Sequence, residues 1–115
     1  MSVFDLYIAN KPVITAGDLS LGNLNSDAIP AKSFTKGGFI IDWTGLTGTL
    51  AGTYNVEVSN DGAIWEALTS PITLGTATGK DAFDVSNLYY AYFRVAILVS
   101  GITAGTVNCS VTLKV

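Results

Sequence analysis

Three carboxylates could do chemistry if the fold brought them together. Asp42, Glu57 and Glu66 fall on or beside neighbouring predicted strands. A carboxyl pair about 5 Å apart is the machinery of a retaining glycosidase. Each of the three, however, stands opposite an apolar pattern, where charge is expected simply because water is there. The chain has no histidine. Acid–base work would therefore fall to a carboxylate or lysine of shifted pKa, and no position in the sequence singles one out. The same absence excludes Ser-His and Cys-His nucleophile pairs and His-ligated zinc. The lone Cys109 excludes intrachain disulfides and cysteine-cluster metal sites; on an apolar strand face it reads as an inert buried thiol. Asn60-Asp61-Gly62 could open a calcium loop, but the further acidic residues of an EF-hand are missing, so it reads as a tight turn. No catalytic residue, metal site or cofactor is expected.

The aromatic side chains offer contact rather than catalysis. Trp43 and Trp65 could stack on sugars, yet Trp43 is in phase with Phe39 and Ile41, and Trp65 precedes the water-seeking Glu66, so both read as core. Tyr90, Tyr92 and Arg94 share the side of a predicted strand that faces away from its apolar stripe. Tyrosine and arginine are favoured where proteins meet, which makes these three the candidate interface.

The elements that must position these groups are strands. The 115 residues suffice for one domain, able to bury about two thirds of the surface of the extended chain. Apolar residues make up 49% and charged residues 13%, which argues against disorder. Six basic against nine acidic side chains argue against a nucleic-acid grip. In Thr106–Val115, Val107, Cys109, Val111, Leu113 and Val115 alternate with polar residues. In Leu88–Val99, Tyr89, Ala91, Phe93, Val95, Ile97 and Val99 form an apolar face. Ser100–Gly105 between them supplies two glycines, and the spacing predicts an antiparallel hairpin. Further strands are predicted at Phe39–Trp43, Thr53–Ser59, Ala63–Leu68, Pro71–Leu74 and Ala82–Val85, with a loop over Thr44–Gly52. Val3–Ile8 and Val13–Ala16 look extended, while Leu19–Phe34 is broken by glycine, asparagine and proline and reads as a surface loop or an arm. No window has helical periodicity, and thirteen threonines with twelve glycines favour strands and turns. The expected fold is all-β: one antiparallel, jelly-roll-like β-sandwich of about eight strands spanning residues 1–115, with an arm or long loop within 1–36.

Two segments bear on location. Met1–Ala9 has no basic residue and carries Asp5, unlike a signal peptide, so the chain is expected to stay in the cytoplasm where it is made. Val95–Leu113 is uncharged and contains Gly101 and Gly105 at G-x-x-x-G spacing, but its period-two alternation is that of a half-buried strand, so no membrane partner is expected.

The run Gly52-Thr53-Tyr54-Asn55-Val56-Glu57-Val58-Ser59-Asn60-Asp61-Gly62 followed by Trp65 resembles the V-x-V-S-N-D-G-x-x-W hairpin of β-sandwich modules in bacteriophage virion proteins and in discoidin-like sandwiches. Tyr92-Phe93-Arg94-Val95, Gly105-Thr106-Val107-Asn108 and Trp43-Thr44-Gly45-Leu46 are similar to other parts of the same modules, so the resemblance covers residues 37–115. It implies a virion structural component (capsid, decoration, spike or tail) that associates with itself and with other virion proteins. The competing class is a carbohydrate-binding or adhesin module; an enzyme is the remote third.

Overall fold

The computed structural model describes residues 7–31 and 34–115, so the expectation for Val3–Ile8 falls largely outside the described residues. Among the described residues ten strands form two antiparallel sheets packed face to face, the expected sandwich. The first sheet has the order β1 (Tyr7–Asp18), β10 (Ile102–Lys114), β4 (Lys36–Gly48), β8 (Gly79–Val85). The second has the order β2 (Leu24–Asn25), β9 (Tyr92–Leu98), β5 (Thr53–Ser59), β6 (Glu66–Ala67). The short β3 (Ile29–Pro30) also pairs β9, and β7 (Ile72–Thr73) also pairs β5. Four of these strands are two residues long: β6 and β7 fall within the predicted Ala63–Leu68 and Pro71–Leu74, whereas β2 and β3 lie in the stretch expected to be a loop or arm.

Period-two alternation builds the interior. β10 turns Val107, Cys109, Val111 and Leu113 inward, and β4 turns Phe39, Ile41, Trp43 and Leu46 beside them. The second sheet answers with Tyr54, Val56 and Val58 from β5 and Phe93, Val95 and Ile97 from β9. Phe39 marks the junction: it stacks on Phe83 of its own sheet at 5.1 Å and meets Phe93 of the other edge-on at 5.9 Å. A second tie crosses the gap where the hydroxyl of buried Tyr54 donates to Asp81 Oδ2 of β8 at 2.6 Å. Burial first, and then that bond and the Asp81 charge, push the Tyr54 phenol well above its ordinary value.

Three expectations are corrected. The hairpin between the last two long strands does not form: β9 pairs β5 in one sheet and β10 pairs β4 and β1 in the other. Gly101, at φ 78°, carries the chain across the sandwich instead, and Thr49 N–H donates to its carbonyl at 2.9 Å. A turn signal reports that the chain reverses, not whether it lands in the same sheet. Thr44–Gly48 is strand rather than loop. Its glycines Gly45 (φ 69°) and Gly48 (φ 87°) lie where the ladder to β10 shifts register, and Leu46 between them is buried. Tyr89 lies outside β9 and is 73% exposed, because regular alternation starts only at Tyr92.

Residues 19–31 lie against the sandwich. Leu19, in a short 3-10 turn capped by Asp18, is fully buried, as are Ile29 and Ala31 nearly so. Leu24 and Asn25 pair with Ile97 and Ala96, and Ser26 both donates its N–H to Val95 O and receives Val95 N–H on its hydroxyl, each at 2.9 Å. Side-chain oxygens thus stand in for a ladder where the chain is too irregular to form one.

Candidate functional site

The candidate interface sits where the loop 59–65 folds over the start of β9. The loop holds itself in shape. The Ser59 hydroxyl accepts N–H bonds from Gly62 at 2.8 Å and Asp61 at 3.3 Å, and donates to Asp61 Oδ1 at 3.0 Å. That same Oδ1 accepts the N–H groups of Ile64 and Ala63, both at 2.9 Å. These backbone bonds, Ile64 first, hold the Asp61 carboxyl below its ordinary value. Gly62 takes φ 77°, where a side chain would be strained. An oxygen so fully engaged within its own turn supports the turn reading of Asn60-Asp61-Gly62 over a calcium loop.

Asn60 ties the loop to the strand: its Oδ1 accepts from Ala91 N–H at 3.4 Å. This brings the three candidate residues beside the loop. Arg94 stands opposite Glu57 in the β5–β9 ladder, and its Nε donates to Glu57 Oε1 at 2.8 Å. The guanidinium carbon then lies 4.3 Å from the ring centre of Trp65. Glu57, Arg94 and Trp65 thereby make one stack on the outer face of the second sheet, an ion pair shielded on one side by an indole. Tyr92, two residues before Arg94, is half-buried, and a side chain added at Gly62 would come within 3.9 Å of its ring. Tyr90 lies in the bend before β9 rather than in the strand with Tyr92 and Arg94, and is 38% exposed; Ile64 in the loop is 73% exposed. The outward side of the start of β9 thus holds a partly exposed ion pair beside an indole, with exposed Ile64 at its margin, while Ala96 further along the same side is buried.

Trp65 corrects the sequence reading. It is half-buried against Arg94 rather than part of the core, whereas Trp43 is buried, its Nε1 donating to Thr76 O at 3.0 Å. The three carboxylates do not meet. Asp42 lies on the outer face of the first sheet and accepts from Asn108 Nδ2 at 3.2 Å. Glu57 is on the second sheet, paired with Arg94, and Glu66 stands opposite inward-facing Val58 rather than opposite Glu57. Cys109 is buried, and burial first, with the Asp42 charge second, pushes its thiol up to about 12. Among the described residues no three His, Cys, Asp or Glu side chains gather as a metal cage, and no helix is long and apolar enough to cross a membrane.

The fold defines a class: an antiparallel β-sandwich of two sheets. No family model matches the sequence, and no curated protein matches it. Solved structures do match. The chain is similar to the infectious bursal disease virus VP2 subviral particle protein, with a TM-score of 0.66 and 12% identity over 96% of this chain. It spans only 32% of that VP2 chain. It is also similar to the SPBc2 prophage-derived protein YomS, with a TM-score of 0.59 and 10% identity over 99% of this chain and 98% of that one. At these identities the likeness is one of fold.

Proposed function

We propose that this chain is a non-enzymatic structural component of a virus or phage particle, acting by self-association and by contact with other particle proteins. The observation that carries the reading is that nearly the whole chain shares its fold with a subviral-particle protein and a prophage-derived protein. The geometry supports it. The aromatic and charged residues outside the core are spread on open faces, and Arg94, already locked by Glu57, offers an ordered surface to a partner at little entropic cost. Tyr90, Tyr92 and Arg94 are assigned to that contact. A virion location and the absence of catalysis belong to the same reading.

The test is sedimentation velocity of the purified chain across a concentration series, with electron microscopy of the heavier fractions. Defined assemblies, weakened by Tyr90→Ala and Arg94→Ala, are the expected result. The second reading, a glycan-binding module, is favoured by one observation only, the half-buried Trp65. One face of that ring is already taken by Arg94. Glycan binding by a persistent monomer, lost in Trp65→Ala without unfolding, would replace the assembly reading.

A further inference from the structure

The sandwich protects three of its four sheet edges. Both edges of the second sheet are made of two-residue strands, β2 and β3 on one side and β6 and β7 on the other. Such short edges give an incoming strand little to pair with. At one edge of the first sheet, β1 is long but broken. Its ladder to β10 shifts register at three places, Asn10 and Ala16 sit at φ 50° and 49°, and Pro12 lacks an N–H. The opposite edge differs. β8 is a regular seven-residue strand whose ladder with β4 runs from Trp43–Gly79 to Gly37–Val85 without a shift. Among the described residues β8 has no strand on its other side.

The sequence of that edge says what fits it. Lys80, Ala82 and Asp84 point outward and are exposed. Two copies of one strand, paired antiparallel about a two-fold axis normal to the sheet, must be centred on a residue facing its own copy, because facing residues point to the same side. Centring on Lys80 or Asp84 sets like charges face to face. Centring on Asp81 places Lys80 against Ala82 and Asp84 against Thr78; centring on Phe83 places Lys80 against Ser86. Centring on Ala82 uses all seven residues and sets Lys80 against Asp84 twice. The row through Ala82 then continues through Ile40, 57% exposed on β4, giving an apolar line Ile40–Ala82–Ala82–Ile40 across the axis. The flanking row carries Asp42, which stands opposite Lys80 in the β4 ladder, then Lys80, then the second copy's Asp84, alternating in sign. On the inner side Phe83 faces an Asp81 already held by Tyr54.

We propose that a second copy of this chain docks antiparallel on β8 in the Ala82-centred register, joining two four-stranded sheets into one of eight strands. This rests on the self-association reading above and names its surface and partner. One strand pair is a small interface, so the dimer is weak alone and gains strength where other contacts repeat it.

Two experiments test it. Ala82 faces its own copy at a distance a disulfide can bridge, about 5 Å between Cα atoms. Ala82→Cys treated with oxidised glutathione should give a cross-linked dimer on a non-reducing gel, whereas Ala77→Cys, in the exposed bend before β8, should not. Buried Cys109 does not compete. In sedimentation, Lys80→Glu and Asp84→Lys should each weaken association about tenfold, and an equimolar mixture of the two should restore it, because each then meets its opposite charge. Wild-type assembly that is indifferent to Lys80→Glu, with Ala82→Cys cross-linking no faster than Ala77→Cys, overturns the β8 interface and leaves self-association standing. A wild-type chain that stays monomeric at every concentration overturns both.

Discussion

The outer face of the six-stranded sheet carries an ion pair whose guanidinium stacks on an indole, while the outer face of the four-stranded sheet carries hydroxyls, the exposed Ile40 and the charges of Asp42, Lys80 and Asp84. On the first of these, Glu57, Arg94 and Trp65 lock one another, with Tyr92 alongside. On the second, Thr47 meets Thr103 at 2.8 Å and Asn108 reaches Asp42 at 3.2 Å. Beside them a shallow depression is lined by Gly38, Ile40, Ala82, Asp84 and Thr112. Both faces rest on the same interior, so neither difference is needed for folding. The lesson is that inward residues settle what the chain becomes and outward residues settle what it can touch. An aromatic, ion-paired face and a face of alternating charge ending in an unpaired strand edge are two different surfaces on which copies of the chain can meet.

The largest effect is expected from the interior that both faces share. Phe39→Ala removes the ring that touches both sheets and should cost about 3–5 kcal/mol in urea denaturation, loosening the two faces together. Loss confined to one sheet would show that the interior is not shared. Arg94→Ala should cost about 1 kcal/mol, since the Glu57 pair is only partly shielded from water, and should red-shift the fluorescence of a more exposed Trp65. Cys109 should be inert to thiol reagents at pH 8 in the folded chain and react on unfolding. Because burial raises the thiol from 9.0 to about 12, the unfolded chain loses the proton first, and stability should fall as pH rises through that window. On the hydroxyl face, Thr47→Val with Thr103→Val should change stability by less than about 0.5 kcal/mol, because β-branching is kept and the lost bond is exposed to water. A large loss there would make the two faces alike in rigidity.

What the sequence disclosed follows from what is local. The inward side of Thr53–Ser59 was legible from Tyr54, Val56 and Val58 alternating with polar residues, but Asn55 and Ser59 on the opposite side are buried as well, which the alternation does not show. Trp43 was legible from the same kind of alternation. The separation of β9 and β10 into different sheets was not, since a period of two is blind to which sheet a strand joins. β2 and β3 are too short to show any period, and their order comes from contacts with β9 made far along the chain. At the candidate site, the outward side of Tyr92 and Arg94 could be read from Phe93 and Val95 facing in. The Glu57 partner and the Trp65 stack could not, because they depend on the β5–β9 register and on a loop with no repeat. The one signal available was the S-N-D-G turn, which places Trp65 near the end of β5.

Hydrogen exchange followed across a concentration series tests most directly the claim that this chain works through its outer surfaces. The account predicts that concentration slows exchange in residues 79–85 and around residues 90–94, while the interior strands β4, β5 and β10 exchange at unchanged rates. Exchange independent of concentration along the whole chain, or slowing confined to segments away from both surfaces, would contradict it.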